Sequence, residues 1–207
     1  INLAVGDEVI AMSGLKHVET EVSVRDEYLR AVNAGRRLAS GDYTDRDDDK
    51  ARDEELANAL VHPEFTEMAL EEEFILTVTA DGMGKRTSAY DYRISKRGGK
   101  GIDSIDLKRG EGTLTEVVAT LPVLPTDELV MVSDGGQLIR LPVDGISFTG
   151  RTARGVTLFR VSGDEKVVSI SRTRDVDGDS EALESGTGEA NQAEYTDETT
   201  SEKKSKM

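Results

Sequence analysis

ISKRGGKGI, Ile94 to Ile102, and FTGRTARGV, Phe148 to Val156, carry one spacing twice. Arg97, Lys100, Gly101 and Ile102 of the first stretch answer Arg151, Arg154, Gly155 and Val156 of the second, and upstream Arg86 answers Arg140. Every pair is 54 residues apart, without a gap. The sequence around these stretches is strand-like. FILTVTADG runs apolar into Asp81-Gly82, and TLTEVVATLPV, DELVMVSDGG, QLIRLPV, GVTLFRV and KVVSISR follow, each short, β-branched and bounded by Gly, Asp or Pro. The ends of the two copies also agree, EVVATL at 116–121 resembling KVVSIS at 166–171, and GDEVIAM at 6–12 reads as the closing strand of an earlier copy. A repeat of about 50 residues holding four short strands implies radial blades. Two blades and one strand cannot close a ring, so the chain reads as the last third of a closed all-β assembly. Ile75, Leu76, Val78, Leu129, Val130, Val132, Val167, Val168 and Ile170 are expected to be buried in the blade sheets.

The charge is segregated along the 207 residues. The net charge is −15, made up of −1 over residues 1–16, −10 over 17–73, +3 over 74–174 and −7 over 175–207. A field decays over about 10 Å at moderate salt, so the middle segment can attract a polyanion while its flanks cannot. There is no cysteine, which excludes a disulfide scaffold and any thiolate metal site. No apolar run approaches the ~18 residues of a membrane span, and no signal-peptide pattern opens the chain. Cytoplasm is the expected compartment. The sequence starts at Ile1 directly in strand-like residues, and reads as part of something longer.

Residues 17–73 differ in kind. Val24, Tyr28, Leu29, Val32 and Leu38 fall near helical spacing, which predicts an amphipathic helix over 21–39 and a second helical stretch around 54–60. The segment reads as an acidic helical insertion between blades. From Asp175 onward, acid, Ser, Thr and Gly leave almost nothing to bury, and a disordered tail is expected. Catalytic chemistry finds no support. The run Asp45, Asp47, Asp49 lacks the glycine and glutamate of a calcium loop, DGMGK lacks the leading glycine of a phosphate loop and reads as a β-turn, and the only histidines are His17 and His62. No catalytic residue and no metal site is expected.

What remains is the cationic loop. Turn geometry explains the glycines but does not require bases at 97 and 151, or at 100 and 154. Glycines keep such a loop low, so that backbone N–H groups and flanking bases approach a phosphate. Equivalent loops on successive blades come round to one rim, a curved positive track suited to bending duplex DNA without reading its bases.

YRISKRGGKGI, with ILTVTADGMGKRT and LIRLPVDGISFTGRTARGV, resembles the C-terminal DNA-wrapping domain of the DNA gyrase A subunit. That family's box is Q-R-R-G-G-K-G. Ser95 and Lys96 replace its first two residues, while Arg97, Gly98, Gly99, Lys100 and Gly101 match. The resemblance implies a β-pinwheel, a propeller-like fold with strands exchanged between neighbouring blades: a preceding closing strand in 1–16, the insertion in 17–73, two DNA-wrapping blades in 74–174 and the tail in 175–207. It implies DNA contacts at Arg86, Lys96, Arg97, Gly98, Gly99, Lys100, Gly101, Arg140, Arg151 and Arg154. It further implies an A2B2 enzyme with a second A subunit and a gyrase B subunit, chromosome-associated, using ATP and Mg on other parts and no cofactor here. None of Tyr28, Tyr43, Tyr90, Tyr92 or Tyr195 matches the context of the family's nucleophilic tyrosine. Topoisomerase IV's A subunit is the near alternative, and a propeller-like protein-interaction scaffold the distant one.

Overall fold

The computed structural model describes residues 3, 5–16, 18–41, 47–99, 101–110 and 112–174. The tail expected from Asp175, Lys100 of the box, His17 and Asp45 of the aspartate run lie outside them.

Three helices come first. α1 (Val22–Ser40) covers the predicted span, burying Tyr28, Ala31 and Ala34 at three-residue steps on one face and ending at Gly41, whose φ of 66° is the left-handed conformation that closes helices. α2 (Asp47–Asn58) starts ahead of the predicted second stretch. Its Asp53 is buried because the Arg37 fork grips both carboxylate oxygens, at 2.7 and 2.5 Å. α3 (Pro63–Glu71) has no counterpart in the sequence reading; Pro63 opens it, where the missing N–H costs nothing, and Phe65 and Met68 turn inward. These meet Tyr28 and Ala31 in a small core of the helices' own, to which Tyr90 contributes a ring 5.6 Å from Tyr28.

Nine strands follow among the described residues: β1 (Phe74–Thr79), β2 (Met83–Ser88), β3 (Lys108–Gly110), β4 (Thr113–Leu114), β5 (Val117–Val123), β6 (Asp127–Ser133), β7 (Leu138–Pro142), β8 (Val156–Thr157) and β9 (Val167–Arg174). They form a four-stranded sheet in the order β5-β1-β2-β8, a three-stranded sheet β7-β6-β9, and the small hairpin β3-β4, all antiparallel. The two larger sheets are the two repeats. β1, β2 and β5 of the first correspond to β6, β7 and β9 of the second. β8 belongs by sequence to the second repeat but pairs Met83 with Thr157 and Gly84 with Val156, in the first repeat's sheet. Strands are therefore exchanged between neighbouring units. DGMGK is the turn of the β1–β2 hairpin, with Gly82 N–H donating to the Thr79 carbonyl.

Gly155 makes the exchange possible. Its φ of 89° is open to glycine, and a Cβ there would collide with the Gly84 carbonyl. Leu76 and Val78 from the first sheet and Leu129 and Met131 from the second share one core with Val123, Val143, Ile146, Phe159 and Val167.

Two expectations need correction. GDEVIAM forms no strand: residues 6–12 are exposed, and although Ile10 and Ala11 run beside Ile75 of β1 and Thr120 to Pro122 of β5, they join neither in a ladder. The blade strands are also not all buried on both faces. Ile75, Leu76, Val78, Leu129 and Val167 are interior, whereas Val130, Val132 and Ile170 are half-buried and Val168 is 54% exposed. β6 alternates strictly, with Asp127, Leu129, Met131 and Ser133 inward, because its sheet is covered on one face only.

Candidate nucleic-acid interface

The box loop lies on the surface. Lys96, Arg97, Gly98 and Gly99 are exposed, Gly98 and Gly101 both have φ of 77°, and Gly99 N–H closes a turn on the Lys96 carbonyl at 3.4 Å. The side chains of Lys96 and Arg97 have no hydrogen-bond or ion-pair partner among the described residues, and neither has that of Arg93, which lines the same shallow concavity. Arg93 was missed in the sequence because it stands outside the matched spacing. Its signal was proximity alone, four residues before Arg97.

The loop of the second repeat is held firmly. Arg151 donates through one terminal nitrogen to the Asp103 carbonyl, Arg154 lies 3.6 Å from the Asp106 carboxylate, and Asp106 N–H donates to the Ala153 carbonyl at 3.3 Å. Asp103 and Asp106 directly follow the first loop, so the two cationic loops abut. Asp106 is held below the usual carboxylate range, chiefly by the Lys108 N–H; burial opposes this, and the charges of Arg154, Lys108 and Arg109 add to the lowering.

β2 supplies the footing. Its residues Lys85 to Ser88 are polar yet buried. Arg86 N–H donates to the Ser147 carbonyl, Thr149 N–H returns to the Arg86 carbonyl at 3.0 Å, and Thr87 Oγ1 donates to the Thr149 carbonyl at 3.1 Å. Lys85 Nζ donates to the carbonyls of Gly150 at 2.7 Å and Arg151 at 2.5 Å. Burial pushes Lys85 down to about 8; the Asp91 carboxylate opposes this and Arg151 reinforces it.

The structure removes Arg86 from the surface. Its side chain is 4% exposed, its Nε and a terminal nitrogen each donate at 2.7 Å to the carbonyls of Ile146 and Asp144, and the guanidinium lies 3.9 Å over the Phe148 ring. A phosphate cannot reach it, so its matched spacing reflects packing rather than DNA contact. Arg140, its counterpart, is exposed, with no loop over it among the described residues, and forms an ion pair with Glu128. The Arg36 guanidinium of α1 takes the Phe148 ring at 4.3 Å and the Glu72 carboxylate at 2.8 Å, so the helical insertion is fastened beside the base of the same loop.

The family model described as "DNA gyrase C-terminal domain, beta-propeller" matches twice, at residues 73–120 and 127–174, one match per repeat. The chain belongs to the DNA gyrase A C-terminal domain family. The DNA gyrase A subunit of Granulibacter bethesdensis is 44% identical over 205 residues, covering 95% of this chain and 22% of the relative. The corresponding gyrase protein of Rickettsia conorii is 41% identical over 190 residues, covering 90% and 20%. Matches this long run through the helical insertion, so it is a shared part of these gyrase relatives. A solved structure of the DNA gyrase A C-terminal domain aligns at 28% identity with a TM-score of 0.44, covering 49% of this chain and 34% of that one. The chain spans about a fifth of the length of the curated relatives it matches. No helix among the described residues is long and apolar enough to cross a membrane.

Proposed function

We propose that this chain is the C-terminal part of a DNA gyrase A subunit and that its basic loops bind and wrap duplex DNA, so that the complete ATP-dependent enzyme introduces negative supercoils. The observation that carries this reading is the abutment of two cationic loops from successive repeats through Asp103 and Asp106. One loop offers Arg93, Lys96 and Arg97, the other Arg151 and Arg154, and Lys100 follows Arg97 in the sequence of the box. Cations spaced this way meet phosphates along a curved path without reading bases.

Strand cleavage falls to other parts of the complete enzyme, as do ATP and Mg, a gyrase B subunit and a second A subunit. Two of this chain's tyrosines support that division. Tyr28 donates to Glu72 and Tyr90 to the Met68 carbonyl, and burial pushes the Tyr90 hydroxyl up to about 12, with the charges of Glu72, Glu71 and Glu73 adding to it. Such hydroxyls are poor nucleophiles at neutral pH. The retained RGGKG and the 44% identity to a gyrase A subunit favour gyrase over topoisomerase IV. A cytoplasmic, chromosome-associated protein follows from this reading.

The test replaces Arg97, Lys100, Arg151 and Arg154 together with alanine in the complete subunit. Affinity should fall alike for unrelated duplex sequences, and the salt slope should flatten by about 0.9 for each phosphate no longer neutralised. An unchanged slope rejects the interface.

A further inference from the structure

We propose that Lys85 is a positioning residue for the duplex contact of the second repeat: its Nζ holds the carbonyls of Gly150 and Arg151, and so sets where the Arg151 guanidinium starts from. The inference rests on the duplex-wrapping reading of that loop.

Packing alone does not call for a lysine at 85. The side chain has no exposed surface, and burying an ammonium is costly unless it is fully engaged. The repeat supplies the comparison. The residue 54 positions on is Ile139, a half-buried aliphatic in β7, a strand that no loop overlies among the described residues. The strand position therefore accepts a plain hydrocarbon, and the lysine occurs where a basic loop has to be held. Its reach is specific, since Nζ takes the carbonyls of the two successive peptide units that flank the Arg151 Cα.

The neighbours act in the same direction. Thr87 holds the Thr149 carbonyl, Arg86 holds those of Asp144 and Ile146, and the Arg86 backbone donates to the Ser147 carbonyl and accepts from Thr149 N–H, one bond on either side of Phe148. The four consecutive residues before the cation, Ser147 through Gly150, thus lie beside β2 of the other repeat. Within the loop, Ala153 N–H closes a turn on the Gly150 carbonyl at 3.1 Å and Asp106 N–H donates to the Ala153 carbonyl, so the lysine clamp fixes the end of the loop at which Arg151 stands.

Lys85→Met keeps the length of the side chain and deletes the ammonium. In the complete subunit, with a thermal melt confirming the fold, duplex affinity should fall about fivefold at moderate salt, the equivalent of one hydrogen bond. The salt slope should shrink by about 0.9, as it does for Arg151→Ala. The double variant should be no worse than Arg151→Ala alone. Unchanged affinity and slope in Lys85→Met, or defects that simply add in the double variant, overturn the inference. If Arg151→Ala and Arg154→Ala themselves change nothing, the duplex reading of the loop fails instead. Should Lys85→Met not fold, Thr87→Val, which removes one hydroxyl at constant shape, takes its place in the same cycle with the same criteria and a smaller effect.

Discussion

Lys85 and Arg86 show how far a side chain's meaning depends on what folds over it. Both are cations in a stretch that reads, along the sequence, as a turn leading to exposed bases. Both are interior because residues 144–151 of the next repeat are laid across β2, with carbonyls in place of water. A depressed lysine has a measurable signature. Between about 8, its folded value, and 10.5, its ordinary one, the unfolded chain holds a proton that the folded chain has released. Stability therefore rises with pH across that window, and the gain stops once the unfolded lysine also deprotonates. Asp91 and Arg151 are the charges that face it. Chemical unfolding at about pH 7 and about pH 9.5, either side of the folded value, should give a larger gain for the parent than for Lys85→Met. Equal gains would mean that Lys85 is not titrating in this range.

Among the elements, β6 and β8 carry the sharpest expectations. Leu129 is fully buried in the shared core, so Leu129→Ala should cost about 2–5 kcal/mol, read from denaturant midpoints. Val168→Ala, on a face that is half open, should cost less than about 1 kcal/mol by the same measurement. A reversed order would place the core on the wrong face of the sheet. For β8 the decisive residue is Gly155. Gly155→Ala forces a left-handed φ on a residue with a Cβ and drives that atom into the Gly84 carbonyl, so hydrogen exchange at Met83 and Gly84 should rise before any global unfolding. The repeat, the blade strands and α1 were legible because their signals are local: spacing, alternation and a helical stripe. α3 was not, since PEFTEMALE offers only two inward residues over nine positions and owes its place to Tyr28 and Ala31. β2 misled for the opposite reason, polar residues buried by a partner 60 positions away. GDEVIAM has the composition of a strand, but composition does not by itself place a segment in a ladder, and residues 6–12 stay outside the sheets.

For the molecule as a whole, the segregation of charge is the property to test. Residues 175–207 carry −7 and follow directly on β9, while the basic loops sit in the +3 segment. A tethered anion acts at high local concentration, so the tail is expected to compete with duplex for the loops. Deleting 175–207 from the complete subunit should tighten binding at low salt and matter less at high salt, where screening already weakens the competitor. Equal or weaker low-salt affinity after deletion would assign the tail another role. At the proposed interface, Lys96 and Arg97, which are exposed, and the repeat correspondence of Arg97 to Arg151 were legible along the chain. Arg86 could not be separated from them, because one spacing serves a buried guanidinium and an exposed one equally well.

The strand that crosses between repeats also orders events on the ribosome. The first sheet has its own three strands once Val123 has emerged, but its fourth edge waits for Val156 and Thr157, and Lys85 and Arg86 wait for the carbonyls of residues 144–151. At about 5–20 residues per second, the nascent first blade spends on the order of seconds with two buried-to-be cations in water and an open β2 edge. Those charges keep the waiting edge soluble, since exposed cations on an edge strand discourage pairing with other nascent chains. Until residues 144–151 arrive, the residues that later clamp the loop are charges on an open strand edge.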